Sequence, residues 1–337
     1  MRLLTLGILT VLLNVRIAVA IPEAELKEAM SSKVAAYLAQ NGRYESISGQ
    51  RGLSLASFTL EGTGDKGDVL LIPGQGEFIP KYYELAYDLV QRGYSMIYIL
   101  DHRGQGASER LLPQSPEKGS VESFSDYAKD LGNYIQSIRS KRQGQKLFLV
   151  AHSMGAGVSA LTLREGMVDA VVFSAPMLGV RAPVVYDTRY LMPLLLTLCK
   201  TEKMCNNFAP GKEEFNLYLD FDKNVLTHSK ARWSLHQSML QENPSIGIQG
   251  PTNRWVLQAT KAVKRIAKIA PPKDIPMLLF QAGEDEVVLP KQQTQYCAKA
   301  KSCQLIKVPG ARHEILQETD SLRTKVIDRI DRFFATH

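Results

Sequence analysis

The stretch Leu149-Val150-Ala151-His152-Ser153-Met154-Gly155-Ala156-Gly157 constrains this chain more than any other. Leu147 to Val150 read as a buried β-strand, and the small residues after Ser153 open a helix. A serine at such a junction sits on a tight strand-to-helix turn, where bulky neighbours two residues to either side would collide. Ala151 and Gly155 keep both flanks small. A helix that starts at the serine aims the Met154 N–H at whatever the hydroxyl attacks, and its positive end favours an anion developing there. Serine is also common at ordinary helix N-termini, so the turn needs support from elsewhere in the chain.

That support begins with the alternation of elements. Ser54–Leu60, Asp68–Ile72, Tyr94–Leu100, Lys146–Val150, Val168–Phe173, Pro276–Ala282 and Gln304–Val308 read as strands, and helical patterns at Lys81–Arg92, Phe124–Ser140, after Lys291 and up to Phe334 separate them. The pattern predicts an α/β fold with a mostly parallel, doubly wound sheet. The alternation lapses from Met177 to about Asp274, a stretch rich in Tyr, Leu and Met that holds both tryptophans, Trp233 and Trp255. So long an insertion between strands predicts a mainly helical cap over residues 177–274, an apolar lid able to cover an acyl chain. The core then comprises residues 53–176 and 275–337, and residues 21–52 form an N-terminal helical extension, with a helix over Glu23–Leu38 that stops at Gly42. Val256, Ala259, Val263, Ile266 and Ala270 recur at helical spacing in the cap, with Lys261, Lys264, Arg265 and Lys268 on the opposite face, a layout for peripheral contact with an anionic membrane or for simple solvation.

Residues 1–20 have another character. Arg2, the apolar run Leu3–Leu13 and the small-residue exit Ala18-Val19-Ala20 before Ile21-Pro22 are the layout of a secretory signal peptide, with an uncleaved anchor as the alternative. The expected location is exported, periplasmic or secreted. Four cysteines agree with it, spaced as Cys199-x5-Cys205 and Cys297-x5-Cys303, which suits two local disulfides in an oxidising compartment better than a zinc site. Lys and Arg number 41 against 34 acidic residues, yet aromatics do not interleave with the basic residues, so the charge gives no case for nucleic acid. No cofactor is called for, and the oligomeric state is left open.

Two late loops complete the chemistry. Gly283-Glu284-Asp285-Glu286 and Gly310-Ala311-Arg312-His313-Glu314 each follow a strand, so serine, acid and histidine occur in the chain order that accompanies this kind of turn. A hydroxyl is a poor nucleophile at neutral pH. His313 would take the Ser153 proton, and Asp285 would hold the imidazole in the right tautomer, with Glu284 or Glu286 as alternative acids. The loop Pro73-Gly74-Gln75-Gly76-Glu77 follows a central strand, and the Gln75 N–H would join that of Met154 in an oxyanion hole. Asp101-His102-Arg103-Gly104-Gln105-Gly106 suggests a loop that braces the floor of the site more than a second catalytic histidine.

At these motifs the sequence resembles the α/β-hydrolases of the bacterial lysophospholipase and monoacylglycerol lipase family, from about Ser54 to the C-terminus. The motifs are Pro73 to Glu77, Asp101 to Gly106 with Ser108, His152 to Gly155, Gln281 to Asp285 and Gly310 to Leu316. Ala151 stands where that family usually has glycine, and Pro73 where it often has histidine. The resemblance implies the α/β-hydrolase fold, a triad at Ser153, Asp285 and His313, and oxyanion donors at Gln75 and Met154. It also implies an ester hydrolase acting on a lysophospholipid or monoacylglycerol. A lysophospholipase is expected first, with a monoacylglycerol lipase, general carboxylesterase or peptidase as alternatives on the same triad, and a non-catalytic lipid-binding protein as the reading from another class.

Overall fold

The computed structural model describes residues 20–179, 188–210 and 220–337. The leader therefore lies outside the described residues except for Ala20. The strands are β1 (Gly42–Ser48), β2 (Ser54–Glu61), β3 (Asp68–Ile72), β4 (Met96–Leu100), β5 (Leu147–His152), β6 (Ala170–Ser174), β7 (Met277–Ala282) and β8 (Cys303–Val308). They form one sheet in the order β1-β2-β4-β3-β5-β6-β7-β8. The pairs β1–β2 and β2–β4 are antiparallel, and every other neighbouring pair is parallel.

The helices follow the same order. Helix α1 runs from Leu26–Ala29 through a π turn at Met30–Val34 to Ala35–Asn41. Next come α2 (Tyr83–Gln91), α3 (Phe124–Lys141), α4 (Ser153–Thr162), α5 (Thr188–Leu198), α6 (Lys230–Glu242), α7 (Asn253–Ile266), α8 (Pro290–Cys297) and α9 (Asp320–Ala335). Every residue of β3, β5, β6 and β7 is buried, because helices cover the sheet on both sides. The pleat sends Leu70, Leu149, Phe173 and Leu279 into a core with Leu131, Ile135 and Val158 of α3 and α4. It sends Leu71, Phe148, Val172 and Phe280 into a second core with Leu85, Leu89, Ile327 and Phe334 of α2 and α9. This is the architecture of the α/β-hydrolase fold.

Two expectations need correction. The extension is not helical throughout: after α1 stops at Gly42, the chain returns as β1 at the sheet edge, registered from Gly42 opposite Leu60 to Ser48 opposite Ser54. Its side chains are mostly exposed, and its two large apolar residues, Tyr44 and Ile47, stand three apart, so no period of two marks the strand in the sequence. Tyr44 supplies the contact, packing edge-on against Phe58 with ring centroids 5.1 Å apart. The basic cap helix is also shorter than its periodicity suggested. Helix α7 ends at Ile266, Lys268 lies in the turn that follows, and Ala270 is non-helical ahead of Pro271-Pro272, since proline disfavours helix in the residue before it.

Both cysteine pairs lie at bonding distance, with S–S separations of 2.07 Å for Cys199–Cys205 and 2.02 Å for Cys297–Cys303. The first ties the end of α5 to the single turn Glu202–Cys205, and the second ties the end of α8 to β8.

Charged side chains also enter the core. Arg232 of α6 is fully buried and meets Glu84 of α2 and Asp320 of α9, each at 2.9 Å. Removing one partner of a buried pair leaves the other charge without compensation. Arg232→Ala is expected to lower stability by about 3–5 kcal/mol in chemical denaturation. Arg51→Ala, which breaks a pair whose arginine side chain is 63% exposed, is expected to lower it by under about 1 kcal/mol. Equal losses would contradict the assignment of Arg232 as the ion that holds α6 to the core.

Candidate active site

Strand β5 delivers Ser153 to the carboxyl edge of the sheet, where α4 begins on the same residue. Its φ of 47° lies in the left-handed region, which is costly for a residue with a Cβ. The surroundings hold it there. A Cβ at Gly155 would stand 2.4 Å from the Pro73 carbonyl oxygen and 2.6 Å from that of Ile72, so only glycine lets α4 leave the turn at this angle. Ala151, in the place of the usual first glycine, fits because its methyl is fully buried in the core on the α3 side.

Three loops converge on the serine. His313 Nε2 lies 2.8 Å from Ser153 Oγ, and His313 Nδ1 lies 2.9 Å from Asp285 Oδ2. With its proton on Nδ1 donated to the carboxylate, the ring leaves Nε2 free to accept from the serine hydroxyl. The other oxygen, Asp285 Oδ1, accepts the Val287 and Val288 N–H groups at 2.8 and 2.9 Å. Burial alone would raise the Asp285 pKa, but the bond from His313 and these two amides hold it below the usual carboxylate value. The neighbouring acids are excluded by geometry. Glu284 turns outward, 56% exposed, to face His228 at 3.5 Å, and Glu286 is exposed.

The glycine-bracketed loop after β3 crosses over the serine. A Cβ at Gly74 would stand 3.2 Å from Ser153 Cβ and 3.1 Å from His152 Cδ2. The Met154 N–H lies in the first turn of α4, where amides have no partner within the helix. The Gln75 N–H makes no hydrogen bond among the described residues, and its side chain lies against Gly119. The Met154 amide adjoins Ser153 in the chain, and the Gln75 amide belongs to the loop that crosses it.

The bracing of this loop has no counterpart among the sequence motifs. Glu77 accepts the Gly74 N–H and the Tyr82 hydroxyl, while Lys81 bridges Glu77 at 2.9 Å and Glu314 at 2.6 Å. Glu314 follows His313 directly, so one buried ammonium joins the loop over the serine to the loop that carries the imidazole. Burial works against each of these charges. Even so, Lys81 and the hydrogen bonds hold Glu77 well below the usual carboxylate range, and the two carboxylates hold Lys81 above the usual lysine value. Glu314, sharing that single cation, is pushed up by burial. Three charged residues among apolar neighbours, Glu77 and Lys81 four apart and Glu314 beside the histidine, were the available signal.

The loop after β4 braces the floor from below. Asp101 accepts the Ile79 and Ala107 N–H groups, each at 2.8 Å, and Arg103 pairs with Asp130 at 2.6 Å. His102 donates to the Pro73 carbonyl at 3.2 Å, so it holds the glycine loop in place and has no part in the triad. A cavity of about 390 Å³ beside this loop, lined by Tyr44, Pro80, Asp101, Ala107, Met239 and Glu242 among others, includes none of the three converging side chains.

His152, which donates to the Ser174 carbonyl at 3.1 Å, and His102 are both buried, and burial depresses each pKa to about 4. The unfolded chain takes up these protons below about pH 6.5, whereas the folded chain resists until about pH 4. Stability is therefore lost as pH falls through that window, by up to about 3 kcal/mol per histidine. Asp101, raised to about 7 by burial, works in the opposite direction. Urea midpoints measured from pH 7 to 4 are expected to fall less steeply in His102→Gln than in the parent, and an unchanged slope would show that His102 does not carry the effect.

Comparison with known proteins gives this geometry a context. The family model described as "Serine aminopeptidase, S33" matches residues 64–320. Lysophospholipase L2 of Escherichia coli K12 is 33% identical over 279 residues, 80% of either chain. Probable lysophospholipase L2 of Haemophilus influenzae is 30% identical over 85% of this chain and 90% of its own. Human monoglyceride lipase is 25% identical over 79% and 81%. Among solved structures, a soluble variant of monoglyceride lipase from Saccharomyces cerevisiae with a substrate analog superposes with a TM-score of 0.67 at 20% identity, covering 88% of this chain and 94% of that one. The motifs around the serine, the fold and these matches agree: the chain belongs to the serine aminopeptidase S33 family, as an α/β-hydrolase of its lysophospholipase and monoglyceride lipase group.

Proposed function

We propose that this chain is an exported serine hydrolase that cleaves the carboxylic ester of a single-acyl lipid, a lysophospholipid first, through an acyl-enzyme. The observation that carries the reading is the hydrogen-bonded run from Ser153 through His313 to Asp285. Ser153 Oγ attacks the ester carbonyl as His313 takes its proton, Asp285 stabilises the imidazolium, and the Gln75 and Met154 amides receive the oxyanion. His313 then protonates the leaving glycerol oxygen, and water repeats the steps on the acyl-enzyme. The preference for a lysophospholipid over a monoglyceride rests on the higher identity to the two bacterial relatives.

The remaining parts of the reading have their own supports. The apolar content of residues 177–274, of which 180–187 and 211–219 lie outside the described residues, supports a role for this insertion as the lid over the acyl chain. The two disulfides suit an oxidising compartment such as the periplasm. Lys261, Lys264, Arg265 and Lys268 are exposed at and just beyond the end of α7, available to anionic head groups. No helix among the described residues is long and apolar enough to cross a membrane.

Ser153→Ala is expected to abolish p-nitrophenyl ester turnover and fluorophosphonate labelling with the fold intact, and undiminished turnover would end the reading. A panel of lysophospholipids and monoacylglycerols scored by fatty-acid release tests the substrate, and preference for monoacylglycerol would favour the second reading. Glu77→Gln weakens the anchor of the Gly74 amide, so kcat is expected to fall roughly ten- to a hundredfold with KM little changed. An unaltered kcat would remove Glu77 from the positioning of the oxyanion loop.

A further inference from the structure

Ala20, the last residue of the small-residue exit, and Ile21, which follows it, are both buried. The Ile21 N–H donates to Asp88 Oδ1 at 3.3 Å, and the Ile21 carbonyl accepts from Arg232 Nη2 at 3.1 Å. Glu23 continues the attachment: its N–H donates to Asp320 Oδ2 at 2.8 Å, and its carboxylate accepts the Asp320 N–H at 3.1 Å and the Ser229 hydroxyl at 2.5 Å. A segment at the end of a leader has thus been given buried, specific partners on three helices.

The charges around it do not balance. Asp88 pairs with Arg323 at 2.6 Å, Glu84 with Arg323 at 3.1 Å and with Arg232 at 2.9 Å, and Asp320 with Arg232 at 2.9 Å. Two guanidiniums face three carboxylates, and Glu23 adds a fourth. Two other titratable groups stand near the cluster: Tyr87, whose pKa is raised by burial first and by Asp88 second, and His236, which burial keeps well below the usual histidine value, with Arg232 and Arg323 acting in the same direction. Among the described residues no third cation pairs with these carboxylates, and Ile21 N stands where one would be used.

We propose that this chain is cut between Ala20 and Ile21, and that the new α-ammonium of Ile21 pairs with Asp88 and completes the ionic latch holding α6 and α9 against α2. The inference rests on the export reading. The co-reactant is water, and the agent is a leader peptidase that selects small residues at the first and third positions before the cut. The C–N bond of the Ala20–Ile21 peptide breaks, hydroxyl passes to the Ala20 carbonyl carbon, and hydrogen passes to the Ile21 nitrogen. That amine then takes the proton released by the new Ala20 carboxyl group. Because Ala20 is only 5% exposed in the fold, the cut precedes folding, and the terminus is sealed in as the helices close.

Two measurements test this. N-terminal sequencing of the protein recovered from the exporting cell is expected to begin at Ile21. An intact Met1, or any other start, overturns the proposal, and an intact Met1 removes cleavable export with it. Chains released from a fusion to begin at Ile21 or at Val19 then differ in whether an ammonium or an amide faces Asp88. The chain beginning at Ile21 is expected to unfold several degrees higher at pH 6–7. That gap is expected to close at alkaline pH, where the ammonium loses its proton. Asp88→Asn is expected to shrink the gap. Equal midpoints, or a gap indifferent to pH, overturn the latch while leaving export standing, and they do so even if Asp88→Asn fails to fold.

Discussion

The site depends on the close passage of three backbones at one point. Strand β5 must end, α4 must begin, and the loop after β3 must cross, all within van der Waals distance of Ser153. That geometry is possible only because Gly155 presents no Cβ to the Pro73 and Ile72 carbonyl groups and Gly74 presents none to Ser153. The left-handed backbone of Ser153 is the price of the arrangement. In return the hydroxyl projects clear of its own strand, where a ring from a distant loop can reach it.

The second theme is the use of buried charge to fix loops. Loops are ordinarily the mobile parts of a fold, yet the oxyanion loop and the histidine loop are joined by Lys81 between Glu77 and Glu314. A buried ion pair is weak evidence for stability, since apolar replacements of similar volume often do as well. It is directional, however, and it constrains where Gly74 and His313 stand relative to each other. Hydrogen bonds from Arg103 and to Asp101 repeat this logic below the site, and those of Arg232 repeat it at the cap.

Much of this was legible in the sequence because the informative signals are local. Ser153 announces itself through small neighbours after an apolar run, Asp285 and His313 each follow a buried strand, and the cysteine spacings are short enough to read as loops. What escaped needed partners distant in the chain. Strand β1 is exposed along most of its length and exists because β2 offers it a ladder of hydrogen bonds. Lys81 reads as an ordinary surface lysine of an amphipathic helix until Glu314, 233 positions away, is brought beside it. The choice among Glu284, Asp285 and Glu286 likewise waited on which carboxylate turned inward.

Helix α9 receives charged partners from several points in the first third of the chain. Lys66 and Arg92 reach Asp331 and Asp328, Asp88 reaches Arg323, and the backbone N–H groups of Glu23 and Asp320 each donate to the other's carboxylate across 297 positions. The earliest residues to be synthesised thus wait for the latest before their charges are matched. Assembly order follows from this wiring: these contacts form only once α9 has been made, and closure of the domain is deferred until its carboxyl end is free.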